Sequence, residues 1–141
     1  KGIQLALGTD GSASNNNLNM FEEMHLAALM HKGVREDPTL MPAQQVLYMA
    51  TAGGAEALGL EKDIGSIEPG KKADLILLST RGLHLNPVFD PVSALVYSAQ
   101  AADVTTVLCD GNVLMEDRRL LTIDEEEVKH RAGEAARRIT S

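Results

Sequence analysis

Three features of the 141-residue sequence predict an α/β fold. Leu5-Ala6-Leu7-Gly8-Thr9-Asp10 is an apolar run that ends in a carboxylate. Helix-period segments follow it as far as residue 58. From about residue 61 the pattern changes to short apolar stretches separated by turn signals. The apolar run resembles a buried strand of a (β/α)-barrel enzyme, which presents a metal ligand or proton carrier from the C-terminal end of a strand.

Each element has a local cause. Residues 3–8 are apolar at every position but Gln4, the pattern of a parallel central strand buried on both faces. Asn19 stands three residues before Glu22, an N-cap and N3 pair that predicts a helix over Met20–His31. Its buried face would carry Phe21, Met24 and Ala28, and Gly33 would stop it. Pro42 opens a second helix that runs through Val46, Leu47 and Met49 to about Ala52 and breaks at Gly53-Gly54. A third, Ala55–Leu58, ends at Gly59.

Segments 64–67 and 73–78 flank Glu68-Pro69-Gly70-Lys71, a type II turn signature, since Pro presets φ and Gly accepts a positive one. Pro91–Ser98 reads as a helix with Pro at its start. Asp110-Gly111 between Val104–Leu108 and Asn112–Met115 is a strong hairpin signal. A second reversal at Glu116–Arg119 leads into Leu120-Leu121. Thr122 and Glu125 would cap a last helix. That helix has Asp124–Glu127 at its positive end, Arg137-Arg138 at its negative end, and Val128, Ala132, Ala135 and Ile139 as its apolar stripe. The domain reading is therefore 1–60, then 61–121 with an inserted helix near 91–98, then the helix 122–141.

Composition narrows the function. A hydrophobic fraction of 44% can build a core, and with no Trp, two Tyr and two Phe that core must be aliphatic. The net charge of −7, with no cluster of Lys and Arg, argues against nucleic acid or an anionic membrane as partner. The single cysteine, Cys109, can form no intramolecular disulfide or Cys-rich zinc cage, and its apolar neighbours predict a small buried hydrophobe. No apolar run is long enough to span a membrane and no signal peptide is visible, so a cytoplasmic location is the default.

Asp10 is the strongest site candidate, because it closes an apolar strand and precedes a loop rich in Ser and Asn. A calcium loop is excluded: with Asp10 as first ligand, the twelfth position would be Phe21 rather than Glu. His25 and His31 lie six apart, on different helix faces, and do not form a zinc pair. His84 lies in a loop where it could touch a ligand, and His130 belongs to the polar side of the last helix. Gly53-Gly54 and Gly59 lack the spacing of a phosphate-binding loop. Ser12, Ser66 and Ser98 lack a nucleophile-elbow context.

Several segments together resemble the amidohydrolase superfamily. Leu7-Gly8-Thr9-Asp10-Gly11-Ser12-Ala13-Ser14-Asn15-Asn16-Asn17-Leu18-Asn19-Met20-Phe21-Glu22-Glu23-Met24 is similar to its last barrel strand and the loop that follows. Residues 50–60 resemble the helix that closes the barrel, and 64–75 the return into a small β domain. His84-Leu85-Asn86-Pro87 with residues 90–98 narrows the match to the group that deaminates 5-methylthioadenosine and S-adenosylhomocysteine. Asn19 stands where Asp is expected in many relatives, and either residue can cap a helix.

The resemblance implies the C-terminal portion of a metal-dependent (β/α)8-barrel amidohydrolase, with the C-terminal part of its small β-sandwich domain. It implies that zinc or another divalent metal activates a water that attacks the purine carbon bearing the amino group. Asp10 would be both metal ligand and proton shuttle. The remaining ligands, histidines that include a His-x-His pair, have no counterpart here, and zinc sites use about three protein ligands. The chain alone is therefore expected to bind no metal tightly and to be catalytically incomplete. Its expected partners are a purine nucleoside substrate and either the missing N-terminal barrel portion or a second copy. Two alternatives stay open: a chlorohydrolase or guanine-deaminase-like relative, and a stand-alone structural or interaction module without catalysis.

Overall fold

Asn19 starts the first helix as its position predicts. Its side-chain oxygen accepts the Phe21 N–H at 3.1 Å, and α1 runs over Met20–Arg35. The computed structural model describes residues 2–140, with side chains to 139. Glu22 accepts from the Asn17 amide and not from the capping residue's own backbone, so only half of the expected box forms. The helix also outruns the expected stop. Gly33 lies inside it, and Glu36 closes it in the left-handed region at φ 52°. The cause is tertiary: Lys32 Nζ donates to Ala28 O, Met41 O and the Tyr97 hydroxyl at 2.9–3.0 Å, which ties down the last turn.

Helix α2 spans Ala43–Ala50 and α3 spans Ala52–Leu58, ending at Gly59 with φ 70°. The break between them falls at Thr51 (φ −129°, ψ −99°), whereas Gly53 and Gly54 lie within α3. Gly53 serves close packing instead, because a Cβ there would sit 2.9 Å from the Tyr48 ring. Residues 64–67 form no strand. Gly65 has φ +93° and passes so near α3 that a Cβ would fall 2.6 Å from the Ala55 methyl, which bends the chain where a ladder would need it extended.

A four-stranded antiparallel meander follows: β1 Leu75–Leu78, β2 Val104–Cys109, β3 Asn112–Glu116 and β4 Arg119–Leu120, hydrogen-bonded in that order. Leu75 faces Leu108 and Val107 faces Met115. Both central residues of the β2–β3 turn, Asp110 and Gly111, have positive φ, the geometry that matches strand twist. Helix α4, Pro91–Tyr97, is capped by Asp90, whose carboxylate accepts from Val92 and Ser93 N–H.

The core lies where these layers meet. Phe21, Met24 and Ala28 of α1 pack with Ala43 and Val46 of α2, Val96 of α4 and Val104 of β2. The last helix, α5 over Glu125–Thr140, is capped by Asp124, which accepts from Glu126 and Glu127 N–H; Thr122 is not its cap. Its stripe of Val128, Ala132, Ala135 and Ile139 is exposed among the described residues. No helix among them is long and apolar enough to cross a membrane.

Two further expectations are corrected. Residues 3–8 are neither buried nor a strand: Ile3 is 74% and Leu5 57% exposed, with no strand beside them among the described residues. An apolar pattern records what a segment can bury, but a ladder needs a partner. What the segment has is one anchor, the Leu7 N–H donated to Met49 O at 3.0 Å, with Leu7 packed on the core. Cys109 is exposed because it ends β2 at the mouth of the turn.

Candidate functional site

Asp10 sits where that anchored segment turns. It is exposed and adopts φ 59°, a left-handed conformation that costs an ordinary residue roughly 1–2 kcal/mol and which Asp tolerates better than most. Its Oδ1 accepts the Gly11 N–H at 2.7 Å. Its Oδ2 makes no hydrogen bond among the described residues, so one carboxylate oxygen is free to take a cation or a proton.

The loop after it is built on both backbone and side-chain hydrogen bonds. Ser14 and Asn15 N–H both donate to Gly11 O, at 2.9 and 3.0 Å. The Asn15 amide donates to Thr9 O and to Glu23 Oε1, each at 2.9 Å. Asn17 N–H donates to Asn15 Oδ1 at 3.0 Å. The Ser- and Asn-rich composition thus folds into a compact turn joined to the first turn of α1. Sequence reasoning marked this loop but singled out none of its asparagines. Only the reach of Asn15 across six and eight residues, to Thr9 and Glu23, gives it away.

A divalent ion fits this region only in part. The carboxylate oxygen is the hard donor such ions take, and it is accessible. No group of three or more His, Cys, Asp or Glu among the described residues could hold a metal ion. One ligand of about three is what the chain provides.

The other candidates lie elsewhere. His84 occupies a short 3₁₀ turn and pairs through Nε2 with Asp103 Oδ2 at 2.9 Å, a structural contact and not a free ligand. His130 lies 3.5 Å from Glu134 on α5, and the His25 ring stands edge-on to Tyr97. A concavity of about 840 Å³ between α1, α2 and the sheet is lined mostly by apolar side chains, among them Phe21, Met24, Leu75, Val104 and Met115. It does not include Asp10.

The Asp103 carboxyl has a pH signature. Burial raises it, but the hydrogen bonds from His84 and the Gln100 N–H, with the charges of His84 and Arg118, outweigh that and hold it below its ordinary 3.8. A lowered carboxyl stabilises the fold above its unfolded value and loses that stabilisation as pH falls through the folded one. Asp103→Asn is therefore expected to cost about 1–2 kcal/mol at neutral pH, a charged hydrogen bond discounted for partial exposure. Denaturant titrations at several pH values should show the gap between parent and variant closing as pH falls below 3.8.

The chain as a whole has known relatives. The model of the amidohydrolase family matches residues 1–114. A 5-methylthioadenosine/S-adenosylhomocysteine deaminase of Acetivibrio thermocellus is 64% identical over 138 residues, 98% of this chain and 32% of that protein. A 5'-deoxyadenosine deaminase of Methanosarcina acetivorans is 51% identical over 141 residues, 100% of this chain and 32% of that protein. Among solved structures, a zinc-bound adenosine deaminase from Xanthomonas campestris superposes with TM-score 0.94 at 40% identity, over 98% of this chain and 31% of that one. A zinc complex of atrazine chlorohydrolase from Arthrobacter aurescens TC1 gives TM-score 0.83 at 33% identity, over 92% and 29%. The chain thus spans about a third of the length of the relatives it matches.

Proposed function

The chain belongs to the amidohydrolase family, and on that premise we propose that it works as the last third of a metal-dependent deaminase of adenosine-type nucleosides. In this reading residues 1–60 supply the loop and closing helices of a (β/α)8 barrel, and residues 3–8 become its last strand only when paired with a neighbour from the length that this chain does not span. Residues 61–121 are a segment of the small β domain with an inserted helix near 91–98, and the C-terminal helix, Glu125–Thr140, follows. The substrates proposed are S-adenosylhomocysteine and 5-methylthioadenosine.

The observation that carries the proposal is the Asp10 carboxylate, which is exposed and has one oxygen uncommitted at the head of a loop pinned to α1. A divalent ion bound beside it would supply acidity, lowering the pKa of water toward about 7. Asp10 would be one of the residues holding that ion, and its carboxylate would take the proton that the attacking water gives up. As the C–N bond of the amino-bearing carbon breaks, Asp10 would return that proton to the departing nitrogen. The balance is nucleoside plus water to the hydroxylated (keto) purine plus ammonia. The remaining ligands would come from the two-thirds of the relatives' length that this chain does not span.

The test compares the full-length, zinc-loaded protein with the 141-residue chain, each incubated with S-adenosylhomocysteine. The full-length protein is expected to convert adenine to hypoxanthine, read by ultraviolet absorbance and by ammonia release. The chain alone is expected to do neither. A full-length protein that leaves the nucleoside intact would refute the substrate reading, and turnover by the chain alone would refute the shared site.

A further inference from the structure

We infer that Asn15 is a positioning residue for Asp10, acting as a clamp between the Thr9 carbonyl and Glu23 on α1. The inference rests on the reading above that Asp10 is the working carboxylate. Thr9 immediately precedes Asp10. Its carbonyl receives one amide hydrogen of Asn15, and Glu23 Oε1 receives the other, both at 2.9 Å. Asn15 Oδ1 is occupied by the Asn17 N–H. Both amide donors and the acceptor are therefore used on a half-buried side chain, and that leaves it one orientation.

The clamp matters because of the backbone it holds. Asp10 has a left-handed φ of 59°, and such a conformation persists only when its surroundings over-determine it. On its C-terminal side the turn supplies that, through Ser14 and Asn15 N–H to Gly11 O. On its N-terminal side, the Asn15 amide is the side chain that ties Thr9 to a helix. The carboxylate thus takes its position from α1, a rigid element, by way of Glu23. Asp at position 15 would lose both donors and face the Glu23 carboxylate; Ala would release the carbonyl; Gln would be one methylene too long.

The test uses the full-length protein with Asn15→Ala, Glu23→Ala and Glu23→Gln. Three readouts are needed: kcat and KM on S-adenosylhomocysteine, the visible spectrum of the cobalt(II)-loaded form, and the thermal midpoint. A carboxylate misplaced by about 1 Å is worth about 10–100-fold in rate, so Asn15→Ala should lower kcat by that factor with KM changed less than about threefold. Its cobalt bands should shift. Glu23→Ala should move both readouts the same way, and Glu23→Gln, whose amide oxygen can still accept, should recover most of the loss. A purely structural role would lower the thermal midpoint and leave kcat and the cobalt bands of the folded fraction unchanged, and that result overturns the inference. If Asn15→Ala does not fold, the two Glu23 variants decide. If the parent binds cobalt without deaminating, the proposed substrate falls while the cobalt spectra still test the clamp. A parent that neither binds cobalt nor deaminates removes the reading of Asp10 and the clamp with it.

Discussion

Asp10→Asn in the full-length protein should lower kcat about 10³-fold, within the range for loss of a positioned acid–base group. The substitution keeps nearly everything else. Asn retains an oxygen to accept the Gly11 N–H now held at 2.7 Å, and it tolerates the φ of 59° better than other side chains. Stability should therefore stay within about 0.5 kcal/mol of the parent, as for a surface change that removes no packing. What disappears is the negative charge and the ability to carry a proton. KM should change little, because the loss falls on the transition state and not on nucleoside binding. Asp10→Ala adds a second cost by stripping the Gly11 N–H of its partner and placing a side chain without polar atoms in the left-handed region. Steady-state kinetics with metal content measured on the same samples separate the two roles. A rate within tenfold of the parent, at full metal occupancy, would move the proton carrier to another residue.

The parts of the molecule with purely local causes were legible in the sequence. Asn19, the Asp110-Gly111 hairpin, the αL cap at Gly59 and the buried face of Phe21, Met24 and Ala28 each depend on a few neighbouring residues. Two of the misreadings, at Gly33 and Gly53, share one cause, side-chain contacts overriding a local glycine signal. Gly33 did not end α1 because Lys32 bonds Met41 and Tyr97 across the fold. Gly53 did not break a helix because it makes room for the Tyr48 ring. Residues 3–8 have a strand's composition without a neighbour to pair with. The candidate site divides in the same way. Asp10 stands out because an apolar run ends on it, whereas Asn15 looks like any loop asparagine until its partners at Thr9 and Glu23 are seen.

The core and the candidate site are also joined through α2, on which Val46 is the fully buried position. Its side chain is fully buried among Phe21, Met24, Ala28, Val96 and Val104. Val46→Ala removes two methyl groups and should cost about 2 kcal/mol in transfer and cavity terms. Val46→Asp places a carboxylate in that cluster, and an unpaired buried charge costs about 3–5 kcal/mol. That is a large part of the roughly 5–15 kcal/mol holding a domain together, so Val46→Asp should unfold or fail to accumulate. The effect should also reach Asp10. Val46 lies one turn before Met49, whose carbonyl accepts the Leu7 N–H at 3.0 Å, and Leu7 leads directly to Thr9 and Asp10. Val46→Ala should therefore combine a lowered thermal midpoint with a kcat reduced by severalfold at temperatures where the variant is still folded. Thermal unfolding and steady-state kinetics on that variant check both halves. A destabilised Val46→Ala with parental kcat would show that the Asn15–Glu23 link to α1 alone fixes the carboxylate.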